Sequence, residues 1–383
     1  MTVNANENTN ANRSTSTSTS ATRRLRAALS AAMICGAITA VLPGAASAEP
    51  SADAGSVRPT AVERVSVAAD GTQANDDSSG ASIAPAGHRV VFTSYANNLS
   101  PGDTGRNEEA FVRELATGQN RKFGSGYPVG PPMLSSDGEI VAHLGYRYNH
   151  MALYQYSLGS MGWWTAYTCS IHTCDAAMGE GQGQQAFSVS FRHPETNQRV
   201  EIRRPDTGGL QTIDVVHNRA PIRPSISKDG TRLAYQDGGE KDVFLWDWSG
   251  NAVTGPIEGP GKAAELVQLS DEGGKAVYLS GSDTYVHDTA SGTAQHVPNV
   301  KGVAIDPTGR YLLHTPSGTT GPAPLTLRDL VTGTDETVTD RPASAEVDAV
   351  SSGGRHVVFQ SAADDIVPGD TNGKTDIFLR TFH

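Results

Sequence analysis

The chain has 383 residues, 30 Lys and Arg against 41 Asp and Glu, 41 Gly and only 3 Cys. Its formal charge of −11 argues against a nucleic-acid partner, because such a surface repels phosphate backbones. No stretch is long and apolar enough to span a membrane comfortably.

Residues 1–22 are Asn/Ser/Thr-rich and too polar to bury a core. Arg23, Arg24 and Arg26 then precede an apolar run over residues 27–42 and the small-residue site Ala46-Ser47-Ala48. This order predicts a secretory signal cleaved after Ala48, a flexible linker over 49–61, and a soluble secreted protein. Taking four basic residues and one acid from those totals leaves 26 Lys and Arg against 40 Asp and Glu, a formal charge of −14. Of the cysteines, Cys169 and Cys174 remain. In an oxidising compartment they predict a disulfide; with His172 alone between them they make a poor zinc site.

From residue 62 onward one turn recurs. Pro85-Ala-Gly87, Ser136-Asp-Gly138, Lys228-Asp-Gly230, Glu272-Gly-Gly274, Pro307-Thr-Gly309 and Ser352-Gly-Gly354 are spaced 51, 92, 44, 35 and 45. Each final Gly is followed at +3 by an aliphatic residue and at +5 by Phe92, His143, Tyr235, Leu279, His314 or Phe359. That is a hairpin turn feeding a half-buried strand of period two. A second turn, ending at Gly118, Gly159, Gly208, Gly250, Gly292 and Gly333, is spaced 41, 49, 42, 42 and 41 and fills the doubled interval. A short strand precedes each, and residues 377–379 supply a seventh.

Units of about 40–45 residues with Gly turns and no helical period predict an all-β fold, a seven-bladed β-propeller over 62–383. The last unit supplies strands at 347–350, 356–360 and 376–380 and lacks a fourth. Residues 62–67 form an unpaired strand, so the N-terminal strand is expected to join the C-terminal blade and close the ring. The stretches "APAGHRVVFTSYANNLSPGDTGRNEEAFVRELATG" and "SSGGRHVVFQSAADDIVPGDTNGKTDIFLR" resemble the secreted TolB-like, WD-repeat-like β-propeller proteins of actinobacteria. The resemblance covers 62–383. It implies the fold and not a transport role.

Candidate chemistry is sparse. No G-x-S-x-G elbow appears. Other seven-bladed propellers resemble lyases that gather His and carboxylates at the channel. Here His143 and His314 occupy the +5 packing position, and His287 shares a slot with Arg113, Trp246, Arg328 and Arg380, which reads as blade surface. His150, His172, His193 and His217 are the remaining candidates, without metal-binding spacing. Trp163 and Trp164 read as an outer strand, with a binding loop as the alternative.

The first and last units align without a gap at an offset of 267. The alignment gathers Asp70, Asp76, Asp77, Asp103, Glu108, Glu109, Asp364, Asp365, Asp370 and Asp376 onto one sector of the loop-rich face. Calcium would suit Asp370, Asn372 and Asp376, and Asp103 and Glu109 less well; Asx turns around Gly373 are the other reading. The expected function is a non-enzymatic, monomeric module. It binds a protein, peptide or glycan through a face that includes Asp76, Asp77, Asp364, Asp365 and Trp164. A propeller lyase or hydrolase is the alternative.

Overall fold

The computed structural model describes residues 61–101, 107–123, 127–147, 150–160, 162–168, 174–181, 184–191, 200–203, 209–213 and 221–382. Residues 1–60, where a leader and signal sequence are expected, and Asp103, Cys169, His172, His193 and His217 lie outside them. Among the described residues no helix is long and apolar enough to cross a membrane.

The fold is an all-β β-propeller. Chain order opens with β1 (Val62–Arg64), then the sheet β2 to β5 (Ser78–Ile83, Arg89–Ser94, Glu109–Glu114, Gln119–Phe123). A second sheet holds β6 to β10 (Tyr127–Pro128, Met133–Leu134, Ile140–Arg147, His150–Ser157, Trp163–Thr168). The third is β11 to β14 (Cys174–Gly181, Gln184–Phe191, Val200–Arg203, Leu210–Ile213) and the fourth β15 to β18 (Pro221–Ile226, Arg232–Asp237, Val243–Asp247, Ala252–Thr254). The fifth is β19 to β22 (Glu265–Leu269, Lys275–Ser280, Asp283–Asp288, Ala294–Val297) and the sixth β23 to β26 (Val300–Ile305, Tyr311–Pro316, Ala323–Asp329, Asp335–Ala343). The last, β27 (His356–Ser361) and β28 (Asp376–Thr381), takes β1 as its third strand, with Val62 opposite Arg380 and Arg64 opposite Phe378. The strand expected at 347–350 is reduced to isolated bridges, because Asp348 adopts a left-handed backbone (φ 61°).

The +5 residues are cross-strand partners. Phe92 stacks on Phe111, His143 on Tyr154, Tyr235 on Phe244 and Phe359 on Phe378, at 5.5–5.8 Å between ring centres. His143 and His314 are buried, as packing residues should be. The fifth sheet corrects the repeat by one residue. Its turn bond runs from Gly273 N–H to the Ser270 carbonyl, and Gly273 carries the positive φ. Tyr278, not Leu279, therefore sits at +5 and stacks on Tyr285 at 5.3 Å.

These glycines also hold neighbouring sheets together. A Cβ on Gly87 would lie 2.5 Å from His356, on Gly138 2.8 Å from His88, on Gly309 2.5 Å from Lys275 and on Gly354 2.7 Å from Tyr311. Gly138, Gly309 and Gly354 each join a sheet's turn to the sheet before it, and Gly87 joins the first sheet's turn to the last sheet. Gly354→Ala is expected to cost about 2–4 kcal/mol, combining left-handed strain with overpacking against Tyr311. Gly318→Ala, with a similar φ and open space, should cost about 1–2 kcal/mol. Denaturant unfolding of the two variants checks the difference.

Candidate functional site

Asp370 and Asp376 come together, but around a cation that belongs to the chain. Arg64 on β1 lies 2.9 Å from Asp370 and 3.3 Å from Asp376. The three side chains are 9 %, 3 % and 0 % exposed. Gln73 donates to Asp370 at 2.7 Å and to Asp376 at 3.0 Å, and the Ser66 hydroxyl donates to Asp376 at 2.6 Å. Burial still holds the Asp376 carboxyl above the usual range. Asn372 accepts from the Lys374 N–H, making an Asx turn, and turns its amide nitrogen toward Asp376 and the Ala74 carbonyl.

The other described acids do not share that cation. Asp76 meets Lys374 at 2.7 Å, Asp77 accepts from the Thr375 N–H, Glu109 meets Lys122 and Asp365 meets Arg341. Asp70 caps its own turn at Thr72, and Asp364 is exposed. Among the described residues no group of three or more His, Cys, Asp or Glu could hold a metal ion. Trp164 lies in β10, the edge strand of its sheet, rather than in a loop.

A second cluster lies among the turns that end the innermost strands. Gln268 donates to Asp348 at 2.5 Å and accepts from the Ile305 N–H; Ser136 donates to Asp271 at 3.0 Å. Burial raises the Asp271 carboxyl to about 6, although Ser136 and Lys228 oppose the shift. Burial first, and then Asp271, raises Asp348 to about 7. The cavity these groups line is about 10 Å³, too small for a substrate.

At the other ends of those strands the space is larger. A cavity of about 240 Å³ is lined by Arg223, Glu265, Lys301, Thr315, Thr319, Ser344 and Glu346, side chains from the fourth sheet through to the segment before β27. Arg223 pairs with Glu265 at 2.9 Å and has a left-handed backbone (φ 52°) at a bulge in β15. Burial raises the Glu346 carboxyl, and no charged partner offsets the shift. A groove of about 350 Å³ between the fifth and sixth sheets shares Glu265, Lys301 and Thr319 and adds Lys241 and Asp283. Two carboxylates and two cations thus face one wet cavity. It can bind an anionic group and move a proton beside it.

Sequence reasoning missed these residues, although a signal existed. Glu265, Lys301 and Glu346 each stand eight residues before their sheet's turn glycine, Gly273, Gly309 and Gly354. The one-residue slip in the fifth sheet hid the coincidence.

No family model matches the chain, and no curated protein sequence is similar to it. Solved structures do resemble it. An oligogalacturonate lyase in complex with manganese aligns with TM-score 0.60 at 14 % identity, over 85 % of this chain and 93 % of that one. An oligogalacturonate lyase from Vibrio parahaemolyticus aligns with TM-score 0.59 at 13 % identity, over 85 % and 94 %. At this identity the likeness shows the β-propeller fold. It also corrects the functional expectation: these two neighbours are lyases. The non-enzymatic binding module gives way to the lyase alternative.

Arg64→Met is expected to destabilise the protein by about 3–5 kcal/mol, because it strands two buried carboxylates. Adding Asp370→Asn should recover part of the loss in denaturant melts. The Asp271–Asp348 pair predicts a pH effect of the opposite kind. Carboxyls raised in the folded state favour folding while protonated. Their contribution is full below about pH 4 and is lost as pH rises through about 6 to 7. Asp348→Asn should therefore stabilise the protein at pH 8, by on the order of 2 kcal/mol, and flatten its melting profile between pH 5 and 8.

Proposed function

We propose that this protein is a lyase acting on an acidic glycan at the cavity lined by Arg223, Glu265, Lys301 and Glu346. The observation that carries the reading is the pairing of basic side chains with a half-buried, unpaired carboxylate in one cavity of a lyase-like propeller. β-Elimination from a uronate needs both. A cation neutralises the sugar carboxylate, so that negative charge developing at C5 is delocalised onto it. A base removes the C5 proton, the C5–H electrons form the C4–C5 double bond, and the C4–O4 bond breaks. The departing oxygen then takes a proton. Arg223 and Lys301 suit the first role. Glu346 suits the second, since desolvation makes its carboxylate a stronger base. The adjoining groove gives room for further sugar units.

One neighbour was solved with manganese. The described residues do not offer a donor set for such an ion, and no step here runs through one.

The remaining features are consistent with an extracellular glycan enzyme. We propose that the seven sheets are seven blades and that β1 closes the ring; the β1–β28 pairing and the Arg64 ion pairs support this. Secretion after cleavage at Ala48, the Cys169–Cys174 disulfide, the monomeric state and a tie to TolB-like actinobacterial propellers stand as proposals on the sequence alone.

Incubation with oligouronides, followed by ultraviolet absorbance of unsaturated products, tests the activity. Glu346→Gln should lower kcat by about 10²-fold or more with melting unchanged, and Lys301→Met should chiefly raise KM. New reducing ends without unsaturation would replace the lyase with a hydrolase. No cleavage of any acidic glycan would overturn the proposal.

A further inference from the structure

The groove between the fifth and sixth sheets is continuous with the reaction cavity, since Glu265, Leu279, Lys301 and Thr319 line both. Its acids are already engaged. Glu265 pairs with Arg223 at 2.9 Å. Asp283 accepts from the Asn299 N–H at 2.9 Å and meets His296 Nε2 at 2.8 Å. Its two lysines are not so engaged. Lys301 donates to the Thr319 carbonyl at 3.4 Å, and among the described residues neither Lys301 nor Lys241 forms an ion pair.

Lys241 also sits in a conformation that a long side chain does not favour, with φ 63°. Five described residues other than glycine have a positive φ. Asn251, Asn299 and Asp348 are of the types that tolerate it; the other two are Arg223 and Lys241. Both line this mouth. Glycine would relieve the strain at either place, so the local turn does not account for a long cationic side chain there. The backbone around Lys241 is braced. Its N–H donates to the Asp237 carbonyl at 3.0 Å, and its own carbonyl accepts from the Ala264 N–H, just before β19, at 2.7 Å. The Asp237 carboxylate accepts from the Gly239 and Glu240 N–H groups. A fixed backbone thus presents an exposed cation to the groove.

We infer that Lys241 binds the carboxylate of a second uronate, the sugar next to the one held by Arg223 and Lys301. The inference rests on the proposed reading of the cavity and adds that charge is recognised on two consecutive sugars. Ser282 and Thr320 on the groove wall suit the hydroxyls of that second sugar. A neutral neighbour would forgo one charge-assisted hydrogen bond.

Calorimetric titration tests this in Glu346→Gln, which should hold the sugars without turning them over. The probes are a diuronide and the matching uronate–hexose disaccharide, neutral at the neighbouring unit. The diuronide is expected to bind about tenfold more tightly. Adding Lys241→Met should weaken the diuronide about tenfold and leave uronate–hexose unchanged, while Lys241→Arg should keep most of the diuronide affinity. If Lys241→Met fails to fold, the difference between the two probes with Lys241 in place carries the test. Equal affinities with Lys241 in place, or equal weakening of both probes by Lys241→Met, would overturn the inference. Binding of neither probe would overturn it together with the reading of the cavity. Diuronide affinity that depends on Lys241 in a protein that cleaves no uronide would support the inference and remove only the lyase activity.

Discussion

Five of the described sheets turn the innermost strand back within a few atoms of a neighbour, at Gly87, Gly138, Gly273, Gly309 and Gly354. The turn needs a left-handed residue, and the neighbour needs room for a side chain. Glycine alone meets both demands. Gly87 gives way to His356, Gly309 to Lys275 and Gly354 to Tyr311. The backbone continues the contact, since the Ser352 N–H donates to the Pro85 carbonyl and the Glu272 N–H to the Pro307 carbonyl. The first and last sheets are joined by the same kind of contact as the fifth and sixth. The register of the inner strands follows from these turns, and with it the residues presented at either end of the channel.

Charge is handled differently at the places where sheets meet. At β1 and β28 two carboxylates are buried to at most 3 % exposure, and Arg64, Gln73 and Ser66 compensate them. Among the inner turns, Asp271 and Asp348 have only neutral hydrogen-bond donors and a more distant Lys228, so they hold protons to higher pH. At the opposite mouth the charges remain wet, and among the described residues Glu346 has no counter-ion. Only this last arrangement leaves charge available to a ligand.

The recurrence of turn and strand was plain in the sequence, because a left-handed glycine and a period-two strand are local demands. The stacking partners were half legible: the +5 rule found Phe92, Tyr235 and Phe359, but the doubled glycine at 273–274 let the fifth sheet slip to Leu279. Of the acids near Asp370, Asp376 shares its counter-ion. Their counter-ion was missed, because Arg64 is about 300 residues away in the chain and no local pattern ties it to Asp376. His287 was expected on the blade surface and is 7 % exposed, as Trp246 in the same slot is buried at 1 %. The cavity residues share only an offset from a turn, a signal that appears once the register is right.

An acidic sugar is proposed to bind and react at the charged mouth. A crystal structure of Glu346→Gln with a bound uronate trisaccharide tests it most directly. The expected result is a sugar carboxylate against Arg223 and Lys301, with C5 facing residue 346. A trisaccharide bound elsewhere, or bound there with its carboxylates turned to solvent, would contradict it.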